Sequence, residues 1–132
     1  MIVSVKKNVD ASWSDTAKQQ HRWALLLNDG QPLSPLAVTT AEFDGVSYLI
    51  SENEFGEQLT YYSGELFDVL DSTPNDGWVV RVIVREPGKL HLFLGYDGLH
   101  DDTLIESVID RESDAALRSF RNAVAGHIWS VR

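Results

Sequence analysis

The side chains best suited to metal chemistry cluster near residue 100. His100, Asp101 and Asp102 are consecutive, and Glu106 follows four positions later. An imidazole with two or three carboxylate oxygens is a ligand set that divalent cations accept. No second histidine lies at a spacing typical of a metal site, and the same run of acids is typical of a loop that leads into a helix cap. We therefore expect a structural role here and keep a small metal-dependent enzyme as an alternative.

Acid–base catalysis would need paired carboxylates or a well-placed histidine. Glu52 and Glu54 have an i, i+2 spacing that puts both on one face of a strand. Such pairs arise by chance in an acidic chain, and His21, His91 and His127 are isolated in the sequence. The glycine motifs that bind phosphates or dinucleotides, or that present a nucleophilic serine, do not occur. The sequence therefore predicts a protein that is not an enzyme, with no catalytic residue, metal or cofactor.

Charge is distributed unevenly along the chain. Residues 23–80 contain no Lys or Arg. The same stretch holds ten acids, namely Asp29, Glu42, Asp44, Glu52, Glu54, Glu57, Glu65, Asp68, Asp71 and Asp76. One interpretation is a solvated face that only aids solubility. The other is an acidic recognition surface, which would accelerate encounter with a basic protein and repel wrong partners.

The recognition hypothesis names specific partner-binding residues. If the strands and the helix predicted for this stretch pack together, its acids could share one side of the molecule, with exposed aromatic side chains as anchors. Tyr62 alternates away from the predicted core face and Phe55 lies at a loop tip, although plain packing suits either ring equally well. The candidate partner-binding residues are Glu52, Glu54, Phe55, Glu57, Tyr62, Asp68, Asp71 and Asp76. The four tryptophans are expected in the core.

Length and composition limit the classes of protein. The 132 residues suit a single domain, 1–132, and 43% hydrophobic residues are enough for a packed core. A net charge of −9 disfavours direct binding to nucleic acid or to an anionic membrane. The absence of cysteine excludes disulfides and thiol chemistry. No apolar run is long enough to span a bilayer, and the first residues lack the order of a secretory signal, so we expect a cytoplasmic protein.

The N-terminal half predicts a strand, a helix and two hairpins. Val3 and Val5 alternate with polar residues, and Ser14 can cap a helix that stops at Asn28-Asp29-Gly30. A strand over residues 23–27 is the competing interpretation. Asp44-Gly45 favours a hairpin that pairs Ala41 with Tyr48. A second hairpin around residues 54–56 would pair Ile50 with Leu59 and Tyr48 with Tyr61, which gives an antiparallel meander.

The C-terminal half predicts further strands and two helices. Residues 63–70 are typical of a short helix capped by Ser63. Residues 78–85 and 90–96 alternate as strands with an apolar inner face, joined by a three-residue loop at Pro87-Gly88-Lys89. The apolar stripe of the final helix, followed by a short strand, consists of Ala116, Leu117, Phe120, Ala123 and Val124. The expected fold class is α+β, an antiparallel meander of about five to six strands packed against an N-terminal and a C-terminal helix.

In residues 107–120 and 128–131, an apolar stretch leads into a predicted Ala-rich helix and a Trp-bearing strand. This C-terminal third resembles a family of bacterial immunity proteins, which protect cells from polymorphic or contact-dependent toxins. Residues 90–96 and 58–62 are similar to the family's penultimate and central strands. The resemblance implies an α+β fold that neutralises a toxin domain, often a nuclease or deaminase. It implies binding without catalysis.

Two classes of binder therefore compete with the enzyme hypothesis. An immunity protein would occlude the active site of a basic toxin domain with its acidic surface. A nucleic-acid mimic would instead block a DNA-processing or defence enzyme, and would carry carboxylates in two rows at phosphate-like spacing. A structural domain with an acidic surface is the remaining alternative.

Overall fold

A computed structural model describes residues 1–43, 45–52 and 59–96. Its elements are β1 (Ile2–Val5), α1 (Asp15–Ala24), β2 (Ala37–Phe43), β3 (Gly45–Ser51), β4 (Leu59–Ser63), β5 (Phe67–Asp71), β6 (Trp78–Glu86) and β7 (Lys89–Tyr96), with 3-10 helices at Leu27–Gly30 and Gly64–Leu66. The strands form a five-stranded antiparallel sheet, β4-β3-β2-β7-β6, and a β1–β5 pair. This confirms mixed helix and antiparallel sheet. The predicted C-terminal helix, the last strand and the residues around His100 lie outside the described residues.

Local chemistry fixes both ends of α1. The Ser14 hydroxyl accepts a hydrogen bond from the backbone N–H of Ala17 at 3.2 Å, so the predicted cap is confirmed. The helix ends at Ala24, earlier than predicted, and the alternative strand over residues 23–27 is wrong. The chain then turns through left-handed conformations at Asn28 and Asp29, residue types that tolerate positive φ.

The first hydrophobic cluster joins α1 and the β1–β5 pair to one face of the five-stranded sheet. Ala17 and Ala24 of α1 pack there with Tyr48 and Tyr62, and Phe67 from β5 completes the layer. The Phe67 ring meets the Tyr48 ring edge-on at a centroid distance of 5.3 Å and the Tyr62 ring at 6.4 Å. These contacts position the end of α1 beside β4.

The register between β3 and β4 differs from the prediction by one residue. Tyr48 pairs with Tyr62, where the sequence pattern predicted Tyr61, and Ile50 pairs with Thr60 rather than Leu59. A one-residue change of register reverses the face of every side chain on the strand. Tyr62 is therefore buried against Phe67, and the expected outward orientation of Tyr62 is wrong.

The register between β2 and β3 also differs, because the ladder is irregular. Tyr48 pairs with Val38 and not with Ala41, and the register shifts between Thr39 and Phe43. Hydrogen bonds of the Thr39 side chain accompany this irregularity: its hydroxyl accepts from the Ala41 N–H at 3.1 Å and donates to the Leu92 carbonyl of β7 at 3.0 Å. The two-residue periodicity of the sequence does not reveal such a bulge.

The predicted helix over residues 63–70 is only one turn long. The Ser63 hydroxyl caps it as predicted, by accepting from the Glu65 N–H, but the 3-10 helix ends at Leu66. The chain then continues as β5, which pairs with β1 through Val5–Phe67 and Ser4–Asp68. Pairing with a distant strand overrides the local helical pattern here.

The β6–β7 hairpin has the predicted strands but a tighter turn. Only Pro87 and Gly88 lie between the closing pair Glu86–Lys89. Gly88 has a φ of 78°, so proline at the first turn position and glycine at the second match a type II turn, which needs no positive φ at proline. The predicted three-residue loop is wrong, and Val82 faces Leu92 rather than Leu94.

The orientation of this hairpin is also opposite to the prediction. The expected core face is 55–70% exposed at Val80, Val82, Val84, Leu90 and Leu92. The opposite face of the hairpin instead carries Phe93, which is buried in a second hydrophobic cluster with Leu36, Ala37, Leu49, Leu59 and Tyr96. Gly95 allows β7 to approach β2 closely, because a Cβ there would lie 2.5 Å from the Ala37 Cβ.

Candidate functional site

A groove lies between the end of α1 and the β3–β4 strands. Its volume is about 610 Å³, within the range typical of ligand-binding clefts. It is lined by Gln20, Trp23, Leu26, Leu27, Glu52, Thr60 and Tyr62. The helix supplies one wall, and the strands with Glu52 supply the other.

The side chain of Gln20 ties the helical wall to the strand wall. Its amide nitrogen donates to the Tyr61 carbonyl at 2.8 Å, and its amide oxygen accepts from the Ser63 N–H at 2.9 Å. Both ends of the amide therefore bind the backbone of β4. This arrangement fixes the distance between Trp23 on α1 and Tyr62 on β4.

The apolar wall of the groove consists of solvent-exposed side chains that do not belong to the hydrophobic core. Trp23 is 54% exposed and Leu26 is 70% exposed, so the expectation that all tryptophans lie in the core is wrong for Trp23. Trp13 is buried as expected. The Arg22 guanidinium lies 4.6 Å from the centre of the Trp23 ring, a cation–π contact that holds the indole.

The polar wall consists of a carboxylate held by a phenol. The Tyr62 hydroxyl donates to Glu52 Oε1 at 2.6 Å. The Tyr62 ring is only 2% exposed, and this burial, with the carboxylate as a second cause, raises the pKa of Tyr62 above its ordinary value. Tyr62 therefore remains a proton donor and orients a carboxylate that is itself exposed to solvent.

The structure places the candidate partner-binding residues in different parts of the surface. Glu52 and Tyr62 meet in the groove. Asp71 and Asp76 instead line a second depression, beside Met1, Ser34 and the 73–75 turn. Asp68 lies exposed on β5, opposite Ser4. The candidates Glu54, Phe55 and Glu57 lie outside the described residues.

Neutral groups donate hydrogen bonds to two of the exposed acids, Glu65 and Asp71, and a cation also favours the charge of each: Lys6 that of Glu65, and the N-terminal ammonium that of Asp71. The Ser14 hydroxyl donates to Glu65 Oε2 at 2.7 Å, and the Thr73 N–H donates to Asp71 Oδ1 at 2.9 Å. The bond from Ser14 is the main reason that the pKa of Glu65 is lowered, and the bond from Thr73 lowers the pKa of Asp71. Both carboxylates therefore keep their charge well into the acid range.

Sequence reasoning missed the residues of the apolar wall. Trp23 lies off the face of α1 that buries Ala17, His21 and Ala24, and Leu26 follows the end of the helix. An amphipathic helix that carries more large apolar side chains than one stripe can bury indicates a second contact surface. This excess over residues 23–27 was the signal that could have identified the wall.

Metal ligation and membrane spanning can be checked over the described residues. Across the three described ranges, no group of three or more His, Cys, Asp or Glu side chains is placed to hold a metal ion. His21 is buried, and its Nε2 donates to the Lys6 carbonyl at 2.7 Å beside Trp13. Within the described chain, no helix has both the length and the apolar character needed to cross a membrane.

Comparison with known proteins adds no relative. No family model, curated protein or solved structure matches the chain. What the groove can bind follows from its own residues: a fixed carboxylate next to an exposed indole and leucine suits a ligand with a cationic head and an apolar body.

Proposed function

We propose that this protein is an immunity protein that binds a basic toxin domain, most simply a nuclease or a deaminase, and blocks its active site. The observation that carries the proposal is the exposure of acids within a stretch free of Lys and Arg. Seven acids of residues 23–80 are described, and only Glu42 is half-buried. The six exposed acids are Asp29, Glu52, Glu65, Asp68, Asp71 and Asp76.

The proposed mechanism is occlusion without chemistry by this protein. Enzymes that act on nucleic acid bind their substrate in a basic channel. A protein with an acidic surface is drawn to such a channel by long-range attraction and forms charge-assisted hydrogen bonds within it. Substrate is then excluded by volume and by charge. The groove at Glu52 supplies a concave contact, and the acids outside it contribute to the attraction.

The proposal includes the fold of the C-terminal segment. Residues 113–125 carry the apolar stripe predicted for a helix, and an amphipathic helix must bury that stripe. We place this helix against the five-stranded sheet, as the expected fold class has it. We also place the protein in the cytoplasm, where a nuclease or deaminase toxin meets its substrate.

Inhibition of a purified toxin domain tests the proposed function. The domain is taken from the protein encoded by the adjacent gene, and its nuclease or deaminase activity is measured with increasing amounts of this chain. We expect a 1:1 complex and complete loss of activity at equimolar concentration. A neighbouring gene unrelated to toxins, or a toxin domain whose activity is unchanged, contradicts the proposal.

A charge-reversed variant provides the control for that experiment. Asp68, Asp71 and Asp76 are replaced together by lysine, and a matched variant carries the same three positions as asparagine. We expect inhibition to weaken in the order wild type, asparagine variant, lysine variant, because the attraction depends on charge. Equal inhibition by all three variants would show that these acids take no part in binding.

A further inference from the structure

The groove is built to receive a side chain that has a charged end and an apolar stem. Its polar wall presents Glu52, and its apolar wall presents Trp23 and Leu26. We infer that this groove is a socket for one arginine side chain of the partner, with the guanidinium on Glu52 and the aliphatic stem against Trp23 and Leu26. The inference rests on the proposed function for the source of the arginine, while the binding chemistry is that of the groove.

The first argument is charge complementarity. Glu52 belongs to the stretch without Lys or Arg, and no cationic residue is among the described residues that line the groove. The Arg22 guanidinium lies outside that lining, against the Trp23 ring. The Tyr62 hydroxyl that donates to Glu52 is neutral, so this hydrogen bond orients the Glu52 carboxylate without neutralising its charge. A carboxylate that is oriented before binding loses less conformational entropy when a cation arrives.

The second argument is the behaviour of the indole. Trp23 already binds one guanidinium, that of Arg22, at 4.6 Å from the ring centre. The same ring lines the groove and is 54% exposed. With its stem against this ring, an arginine can bind the Glu52 carboxylate through two N–H groups of its planar, weakly hydrated guanidinium, whereas a strongly hydrated ammonium binds it only as a point charge. These properties favour arginine over lysine.

The third argument is rigidity. Gln20 bonds α1 to β4 at both ends of its amide, and the Tyr62 ring is packed edge-on against Phe67. The two walls are therefore fixed relative to each other before any ligand binds. Preformed walls are a feature of specific binding sites and need no rearrangement to accept a side chain.

Nuclear magnetic resonance of the full chain tests the socket directly. The probes are N-acetyl-L-arginine amide, N-acetyl-L-lysine amide and N-acetyl-L-norleucine amide, which share a backbone and differ in the head group. We expect arginine amide to shift the Trp23 indole N–H signal with a dissociation constant on the order of millimolar. Lysine amide should bind at least about threefold more weakly, and norleucine amide should give no saturable shift.

Two variants separate charge from general binding. Glu52→Gln removes the charge but keeps an oxygen that accepts from the Tyr62 hydroxyl, and we expect it to weaken arginine amide binding by about tenfold. Asp29→Asn removes one exposed acid outside the groove, at a left-handed position that asparagine adopts readily. It should leave the dissociation constant unchanged within about twofold.

Several outcomes would overturn the socket. They are the absence of a shift with arginine amide, equal binding of arginine and lysine amides, and unchanged binding in the folded Glu52→Gln variant. These outcomes are independent of the toxin experiment. Failure of the socket leaves a toxin complex possible through other acids, whereas arginine amide binding without any toxin complex would refute the proposed function and retain the socket.

Discussion

The hydrogen bond between Tyr62 and Glu52 connects the core of the protein to its groove. The Tyr62 ring belongs to the first hydrophobic cluster, while its hydroxyl meets a carboxylate on the surface. The sequence identified both residues as candidates but assigned Tyr62 to the wrong face. Two adjacent tyrosines, Tyr61 and Tyr62, have the same propensity for a strand, so composition alone does not decide which is buried.

The roles of bond and charge at this pair are separable by substitution. Tyr62→Phe keeps the buried ring but removes the donor, and we expect the free energy of unfolding to fall by about 1 kcal/mol. Glu52→Gln keeps the hydrogen bond, and we expect it to change the free energy of unfolding by less than about 0.5 kcal/mol. Urea unfolding of both variants measures the difference. A Tyr62→Phe variant as stable as the wild type would show that the bond adds nothing to stability.

Glu65 makes stability depend on pH. Hydrogen bonds from Ser14 lower the pKa of Glu65 below its ordinary value of 4.5, so the ionised form is favoured by folding. The contribution of this group is present above pH 4.5 and is lost as the pH falls through the lowered, folded-state pKa. We expect Glu65→Gln to be less stable than the wild type at pH 7, and the difference to shrink towards pH 3.

Urea unfolding at a series of pH values checks this expectation. Ser14→Ala removes the main hydrogen-bond donor to Glu65. In a chain that already carries Ser14→Ala, we expect Glu65→Gln to cause a smaller pH-dependent loss of stability than in the wild type. A difference between wild type and Glu65→Gln that is as large at pH 3 as at pH 7 would contradict the assigned role of the carboxylate.

Features set by local chemistry were predictable at the scale of single elements, whereas strand pairing was not. Ser14 and Ser63 cap the helical turns that the sequence indicated. The β3–β4 register was off by one residue, and hydroxyl bonds of Thr39 accompany the irregular β2–β3 ladder. Hydrophobic alternation indicates which side chains share a face of a strand, but it does not mark a bulge, and here it decided neither the strand register nor which face is buried.

The close approach of β7 and β2 gives a test of the central strands. At Gly95 an added Cβ would lie 2.5 Å from the Ala37 Cβ and 2.8 Å from the Leu36 carbonyl oxygen. We expect Gly95→Ala to lower the free energy of unfolding by about 1–3 kcal/mol. Combining it with Ala37→Gly removes the closest of three contacts under 3.0 Å, the third being the Ala37 Cα at 2.9 Å, and should restore part of the loss. A Gly95→Ala variant as stable as the wild type would contradict this strand pairing.

The proposed C-terminal helix can be tested within the full chain. Phe120→Ala shortens a side chain of the apolar stripe, and we expect a loss of about 3 kcal/mol if the stripe is buried. Arg118→Ala lies off the stripe and serves as the matched control, with a change below about 0.5 kcal/mol. Thermal or urea unfolding reports both values. Similar small effects of the two substitutions would argue against a buried helix.

At the scale of the whole molecule, the sequence predicted how charge is distributed along the chain but not where a partner would bind. The stretch 23–80 without Lys or Arg is read directly from the sequence. The groove depends on Trp23 and Leu26 staying outside the core and on Gln20 joining α1 to β4. The groove therefore cannot be predicted from the sequence alone. The same helix residues could pack against a sheet with a different strand order, and the groove would then not form.

The rate of association with the toxin domain from the adjacent gene tests the central claim most directly. Stopped-flow measurements at 50 mM and 500 mM NaCl compare the wild type with the Asp68, Asp71 and Asp76 lysine variant. The account predicts that the rate constant of the wild type falls by about tenfold or more between the two salt concentrations, and that the variant associates more slowly at low salt. A rate constant that is independent of salt and the same for both proteins would contradict it.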